Sequence, residues 1–389
     1  MNNFQYYNPV EMIFGRGLES TVGEHVVRYG GTKVLMVHYG DPYIYESGLH
    51  GRIMDSLKGA GLEVLELTGV QPNPRVDLAR KGIELCRKEG VDFLLAIGGG
   101  SAIDTAKCIC FGMYYDGDVW DIYMDGSKMP DRGIPLAAIP TIAASGSEYN
   151  CSSIISNDEG MLKRGAYDPI GFPKFAIYNP ELLYTLPPKQ TAAGIVDAIS
   201  HLSWSYHINQ DNIGLQDDLT LSAIKALVNN GRIVMKNPRD YEARAAVLLA
   251  STFACVDVLH LGSKQDPSSH HLEHELSAIY DVTHGVGLGI ILPAQLRYLY
   301  KGAPARFAKF GRVVFGIEET DDEKAALMSI DALEQFFREI GMPTHLSEIG
   351  IGDEHFEEMA DKVLRDVGPF GDIHVFDKAS IVELYRLCL

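Results

Sequence analysis

Positive charge is scarce in this chain. Lys and Arg number 34 against 52 Asp and Glu, which leaves a net charge of −18 and a pI near 5.1. A polyphosphate would meet a repelling field, so nucleic acid and an anionic membrane surface are excluded as partners. A single nucleotide is a different case, because local backbone donors can hold its phosphates. Cysteine is sparse too: Cys86, Cys108, Cys110, Cys151, Cys255 and Cys388 show no C-x-x-C spacing. That argues against a disulfide framework or a zinc ribbon and for reduced thiols. No apolar run approaches the ~20 residues that cross a bilayer. The opening M-N-N-F-Q-Y-Y-N-P-V has neither the basic stretch nor the apolar core of a secretory signal. A cytoplasmic protein without a membrane partner is expected. Internal repeats and low-complexity linkers are missing as well.

What remains has the composition of a globular enzyme, with 46% hydrophobic residues, 22% charged residues and 39 glycines. At 389 residues the chain exceeds the size at which one core stops growing, so two domains are expected. Up to about residue 182, short apolar runs alternate with helical patterns. Residues 33–38, 63–67, 93–97, 134–139 and 175–178 read as strands, and residues 49–58 read as a helix. Strands alternating with helices at this spacing imply a parallel sheet covered on both faces, a Rossmann-like, doubly wound α/β domain. After Pro187-Pro188 strand signals become scarce, and segments such as 219–228, 241–258, 293–300, 323–339 and 381–387 carry spaced apolar residues. The expected division is an α/β nucleotide-binding domain over 1–182 and an all-helical domain over 183–389, with a cleft between them as the default site.

Two loops in the first half carry chemistry. In F-L-L-A-I-G-G-G-S-A-I-D-T-A-K, residues 93–107, a strand runs through Gly98, Gly99 and Gly100 into a helix start. Missing side chains there let a pyrophosphate approach the backbone, and the opening N–H groups of the helix offer an anion site. Ser101 and Asp104 have capping-box spacing, so Asp104 reads more naturally as a cap than as a phosphate contact. The pattern is not G-x-G-x-x-G, and a ligand-free tight turn is the bland alternative. The second loop, P-T-I-A-A-S-G-S-E at 140–148, places the hydroxyls of Thr141, Ser145 and Ser147 after a strand's C-terminal end, where open parallel sheets bind ligands. Lys163 follows in a polar segment whose bland reading is a solvated lysine.

The second half holds a histidine cluster: residues 269–285 read S-H-H-L-E-H-E-L-S-A-I-Y-D-V-T-H-G. His270 and His274 are four apart and share a helix face, and His284 lies far enough on for a turn to bring it back. Upstream, Asp197 and His201 are also four apart in a helical segment. One carboxylate and three imidazoles from two helical segments make an oxygen-and-nitrogen set suited to iron, zinc or manganese. Taken singly, each pair is common on solvated helices.

Together, G-G-G-S-x-x-D-x-A-K at 98–107, P-T-x-x-x-x-G-S-E at 140–148, A-A-G-x-x-D-A-x-x-H at 192–201 and H-x-x-x-H-x(9)-H-G at 270–285 resemble the iron-dependent (group III) alcohol dehydrogenases, and more narrowly the butanol dehydrogenases and aldehyde reductases among them. The opening F-Q-Y-Y-N-P-V-E-M-I-F-G-R-G is similar to the family's first strands, so the resemblance runs from about residue 4 to the C-terminus. It implies a dehydroquinate synthase-like architecture and hydride transfer between a nicotinamide and a small alcohol or aldehyde. It also implies a divalent metal, iron first and zinc, manganese or nickel as alternatives, on Asp197, His201, His270 and His284. The cofactor would lie on Gly98, Gly99, Gly100, Ser101, Asp104, Thr141, Ser145, Ser147 and Lys163. His274 would sit near the substrate as the catalytic histidine, His271 would be incidental, and a homodimer is expected. Trp204 departs from relatives resembling D-A-x-x-H-x-x-E, which should alter the surroundings of the ligands and not the ligand set; residues 161–164 depart too, where family lysines vary in placement. Tyr149, Trp204 and Tyr280 are candidate pocket walls.

The turn Tyr39-Gly40-Asp41-Pro42 bears on which nicotinamide is used. An acid at Asp41 accepts hydrogen bonds from a ribose 2′-hydroxyl and repels a 2′-phosphate. Relatives that prefer NADP resemble a Gly-Gly-Gly-Ser run here, so NAD is expected, with NADP as the alternative; the bland reading is that Asp41 only opens the turn before Pro42. Other functions on this architecture are a glycerol-type polyol dehydrogenase, a dehydroquinate synthase-like lyase and a non-catalytic metal-binding scaffold.

Overall fold

The computed structural model describes residues 1–207 and 214–389. Contacts along the chain divide it into two units, Tyr7–Thr185 and Leu186–Leu389, the latter joined by Met1–Tyr6. Asn2 N donates to Gly262 O at 2.8 Å, which ties the first residues to the helical unit although they precede the first strand.

The first unit is built on eight strands: β1 (Glu11–Phe14), β2 (Lys33–His38), β3 (Glu63–Leu67), β4 (Phe93–Gly98), β5 (Leu136–Pro140), β6 (Ser152–Asn157), β7 (Leu162–Tyr167) and β8 (Phe175–Tyr178). Six of them form a sheet in the order β1-β8-β5-β4-β2-β3, every pairing parallel. Val34 to Val37 and Phe93 to Ala96 are fully buried, as strands covered on both faces must be. Around the sheet run α1 (Val22–Arg28), α2 (Pro42–Glu46), α3 (Leu49–Gly59), α4 (Val76–Glu89), α5 (Gly100–Gly112) and α6 (Trp120–Met124). The chain leaves β2 for β3 on one side, returns across to β4, and continues to β5 on the other side. The order therefore reverses between β2 and β4. Outside the carboxyl ends at such a reversal, open α/β sheets bind their ligands, and the glycine turn after β4 and the Asp41 turn after β2 both lie there.

One element was not expected: β6 and β7 form an antiparallel hairpin pairing Ser152 with Tyr167 and Asn157 with Leu162. Its strands, S-S-I-I-S-N and L-K-R-G-A-Y, lack the alternation of apolar and polar residues that marks a half-buried strand.

The second unit is helical throughout its described residues, apart from an isolated bridge between Phe370 and Phe376. Its helices are α7 (Pro188–Tyr206), α8 (Leu215–Lys236), α9 (Tyr241–Ala254), α10 (Ser268–Tyr280), α11 (His284–Leu299), α12 (Pro304–Phe315), α13 (Asp322–Glu339), α14 (Phe356–Val367) and α15 (Lys378–Leu387). Helix α7 is buried on nearly all sides, packing on α8, α9 and α11. The turn anticipated between the histidines exists: Asp281 ends α10 in the left-handed region at φ 52°, and α11 opens at His284. No helix of the described residues is long and apolar enough to cross a membrane.

Candidate active site

Asp197 and His201 stand one turn apart on α7, His270 lies on α10, and His284 is the first residue of α11. Asp197 Oδ1 is the hub: His201 Nδ1 is 3.1 Å away, His270 Nε2 3.5 Å and His284 Nε2 3.7 Å. The rings of His201 and His270 lie 4.3 Å apart, and those of His270 and His284 4.9 Å apart. Gly285 makes this convergence feasible, because a Cβ there would overlap the Ala193 carbonyl of α7. The H-G pair and the A-A-G run of the sequence are thus two sides of one close helix contact.

Asp197 is 4% exposed and His270 5%. Burial works against a charged Asp197, yet His201, His270 and His284 hold its pKa well below the usual carboxylate range. Burial likewise works against a charged His201, but the Cys255 thiol and the Asp197 carboxylate outweigh it and raise its pKa well above the usual imidazole range. Burial and the neighbouring His201 push His270 well below that range, which keeps it neutral; because Trp204 Nε1 donates to its Nδ1, its single proton sits on Nε2, facing Asp197 Oδ1, and a cation bound there would displace it. His201 Nδ1 lies 2.9 Å from the Asp197 carbonyl, which can only accept, so Nδ1 carries a proton and Nε2 is the nitrogen that a cation would take, in place of the second proton that the raised pKa puts there.

Asp197 Oδ1 and His270 Nε2 are buried and, by strict geometry, have no hydrogen bond from any described residue: they face each other at a long 3.5 Å, with His201 Nδ1 3.1 Å from Asp197 Oδ1. A buried polar atom left so is costly, and an ion is one of the few things that explains it. Candidate ligand atoms of Asp197, His201 and His270 lie within 4.8 Å of one another. A carboxylate with imidazoles suits iron, zinc, manganese and nickel alike, so the residues fit a divalent metal.

The glycine turn lies in the other unit. Gly98 closes β4 at φ +150°, where a side chain is strained, and a Cβ on it would sit 2.7 Å from the Tyr39 ring. Thr141 N donates to Gly98 O at 3.0 Å, which binds the second loop to the first. Ser145 comes close enough that a Cβ on Gly100 would lie 2.5 Å from its Oγ. Gly99 is the N-cap of α5 with no side-chain cap, so the Ser101–Asp104 capping box does not form: Ser101 already lies inside the first turn. Asp104 instead accepts from Ser147 Oγ at 2.6 Å and from Ile154 N at 3.1 Å. Beside it Lys107, fully buried, donates to Ser147 O, Ser147 Oγ, Asn150 Oδ1 and Ser152 O at 2.6 to 3.0 Å. Burial pulls its pKa down to about 8 against the field of Asp104. Asp104 and Ser147, expected among the cofactor contacts, therefore have internal partners and brace the loop from beneath.

Lys163 is not a solvated lysine. It sits on β7, 4% exposed, with Nζ 3.1 Å from Asn73 Oδ1. Asp41 is exposed and is the N-cap of α2, accepting from Ile44 N at 3.4 Å. His274 is half-buried, its ring 5.6 Å from that of His284, while the His271 ring meets Phe370 at 5.5 Å. Trp204 stands 4.6 Å from the rings of both His201 and His270 and donates to His270 Nδ1 at 3.0 Å, so this departure lies against two of the candidate ligands. Tyr280 packs on His355, and the Tyr149 carbonyl accepts from Asn8.

Four residues of these sites were missed by the sequence reading: Tyr39, Lys107, Cys255 and Glu273. Tyr39 meets Gly98 and hydrogen-bonds Ser101, and burial pushes its pKa up to about 12. Cys255 shares a hydrogen bond with His201. Lys107 did leave a signal, as a lone lysine in the apolar helix G-S-A-I-D-T-A-K-C-I-C-F-G. Glu273 left one too, three residues after His270 on the same face of α10.

The family model for iron-containing alcohol dehydrogenases matches residues 9–180, and that for the C-terminal part of the same family matches residues 191–389. The chain is 37% identical to the probable NADH-dependent butanol dehydrogenase 1 of Bacillus subtilis, with the whole of both chains covered. It is 38% identical to NADH-dependent butanol dehydrogenase A of Clostridium acetobutylicum, over 99% of each. The crystal structure of NADH-dependent butanol dehydrogenase A from Thermotoga maritima superposes with a TM-score of 0.95 at 33% identity, over 100% of this chain and 99% of that one. The chain belongs to the iron-containing alcohol dehydrogenase family and is an oxidoreductase of that class.

Proposed function

We propose that this enzyme interconverts a small alcohol and its aldehyde, using NAD and one divalent metal held by Asp197, His201, His270 and His284. The observation that carries the reading is the pair of orphaned buried atoms, Asp197 Oδ1 and His270 Nε2, inside a converging set of one acid and three imidazoles. When bound, the metal supplies Lewis-acid polarisation of the substrate oxygen and the nicotinamide supplies or takes the hydride. Asp197 offsets part of the metal's charge, and the neutral imidazoles leave the site net positive. Gly98, Gly99, Gly100 and Ser101 cradle the pyrophosphate with backbone donors at the start of α5, and Thr141 and Ser145 line the same turn. Lys163, buried on β7, is the cationic contact for the cofactor. His274, beside His284 but outside the orphaned cluster, is the candidate to relay a proton to or from the substrate oxygen.

Iron is the metal favoured by the family's description, and NAD is the cofactor favoured by Asp41 and by the names of the relatives. A homodimer is the expected assembly. The test is metal analysis of the purified protein, followed by removal of the metal, reconstitution with Fe2+, Zn2+, Mn2+ or Ni2+, and NADH oxidation at 340 nm with short-chain aldehydes. Activity that returns only with a metal supports the reading; full turnover by the metal-free protein overturns it.

A further inference from the structure

We propose that Glu273 is a positioning residue for the metal, acting through His284; the inference rests on the metal reading above. Glu273 is fully buried on α10. One carboxylate oxygen accepts from His284 Nδ1 and the other from Ser277 Oγ. Ser277 Oγ also lies 2.9 Å from Val282 O, and its one proton is shared between these two acceptors, so the clamp reaches the turn that delivers His284 to the start of α11. A carboxylate takes the imidazole proton on Nδ1, and that choice leaves the lone pair on Nε2, the nitrogen 3.7 Å from Asp197 Oδ1. It also makes the imidazole a stronger donor to a cation, and losing such a partner typically weakens metal binding about 10- to 100-fold.

The surroundings are shaped around this carboxylate. His270, Glu273 and Ser277 recur at i, i+3 and i+7, a single face of α10. On α11 a Cβ at Gly287 would lie 2.7 Å from Glu273 Oε1, so only glycine leaves the carboxylate its place. A rival reading makes Glu273, His274 and His284 a second metal position, because their ligand atoms also lie within 4.8 Å of one another. Against it, both oxygens of Glu273 are already engaged by His284 and Ser277.

Stoichiometry and affinity separate the two. The full-length protein, stripped of metal, is titrated with Co2+ against a chromophoric chelator, and the visible spectrum of the bound ion is recorded. Wild type should bind one Co2+ per chain. Glu273→Gln keeps the shape and removes the charge; it should still bind one Co2+, about 10- to 100-fold more weakly and with a shifted visible band. Ser277→Ala releases one oxygen of the clamp without touching a ligand and should give a smaller loss in the same direction, which keeps the test decisive if Glu273→Gln does not fold. Wild-type affinity and spectrum in Glu273→Gln, or in Ser277→Ala where that variant alone folds, overturn the proposal. So do two Co2+ per wild-type chain with the second lost in Glu273→Gln. A wild type that binds no Co2+ sinks the metal reading itself, and this inference with it; a wild type that binds one while Glu273→Gln matches it sinks this inference alone.

Discussion

The sheet unit and the helical unit both bury charge, and they leave it in opposite conditions. Under the glycine turn, Lys107 has four acceptors and Asp104 has two donors, so the network is complete with nothing bound. In the helical unit, Asp197 Oδ1 and His270 Nε2 have none of strict geometry. A satisfied buried network rigidifies the element above it, whereas an unsatisfied one waits for a ligand. The first site is therefore a preformed mould made of backbone, and the second is a set of side chains that an ion would complete.

The largest effect should come from breaking the complete network. Lys107→Met removes the donor from four oxygens and leaves Asp104 buried without its counter-charge. A loss of about 3–5 kcal/mol is expected from one partner of a buried charged pair. Denaturant unfolding monitored in the sheet unit measures it, and a loss below 1 kcal/mol would show that the network is not what holds the loop. The helical unit should respond to metal instead. At a hundred times its Kd, a divalent ion should stabilise the wild type by about 2.7 kcal/mol and Asp197→Ala by nearly nothing. Equal melting shifts in the two proteins would remove Asp197 from the ligand set.

How much of this was legible in the sequence follows from the same contrast. The inner strands β2, β4, β5 and β8 could be read because burial on both faces makes them almost continuously apolar, and the glycine turn and the metal-type residues because such chemistry dictates residue identity at fixed spacing. The helical half could be read from its periodicity. What could not be read was pairing at a distance. Lys163 looked solvated because its partner, Asn73, is 90 residues away. Asp104 looked like a helix cap because nothing local announces Ser147 and Ile154. The β6–β7 hairpin stayed hidden because its strands are polar. Glu273 sat inside the histidine cluster all along, but only the fold shows that its carboxylate meets His284.

A third test sharpens the comparison within a single helix. His201 is raised by Cys255 and Asp197, whereas His207, at the C-terminal end of the same helix, is pushed down to about 3 by burial and by Arg306. His207 is 1% exposed, its ring lies against Phe307 and Phe310, and neither nitrogen has a hydrogen bond from a described residue. Folded His207 stays neutral where an unfolded histidine, titrating near 6.5, takes up a proton. The stability is therefore present above pH 6.5 and lost as pH falls toward 3. The slope approaches 1.36 kcal/mol per pH unit, about 2 kcal/mol between pH 6.5 and 5. His207→Leu should abolish that share of the acid loss. Unfolding free energies of the two proteins at pH 7 and pH 5 give the difference, and parallel losses would show that His207 is not the group responsible.

The smallest effect concerns Asp41, the one candidate contact that is exposed and supplied by a turn. The structure gives weight to both of its readings. As N-cap of α2 it accepts from Ile44 N at a long 3.4 Å, a local role that needs no cofactor. Yet it follows β2 at the edge of the strand-order reversal, next to the strand that carries the glycine turn, where an adenosine ribose would lie. Asp41→Gly separates the roles, because glycine is itself a tolerated N-cap and costs only a few tenths of a kcal/mol there. Folding should be nearly unchanged, while a carboxylate that accepts from a ribose 2′-hydroxyl and repels a 2′-phosphate is lost. The wild type should favour NADH, and the ratio of kcat/KM for NADH over NADPH should fall about tenfold in Asp41→Gly, a change of 1.4 kcal/mol. Most of that change should appear in KM for the nucleotide and little in kcat, since Asp41 touches neither the reacting carbon nor the metal ligands. A wild type that prefers NADPH, or a ratio unmoved by the substitution, would leave Asp41 as a helix cap and nothing more.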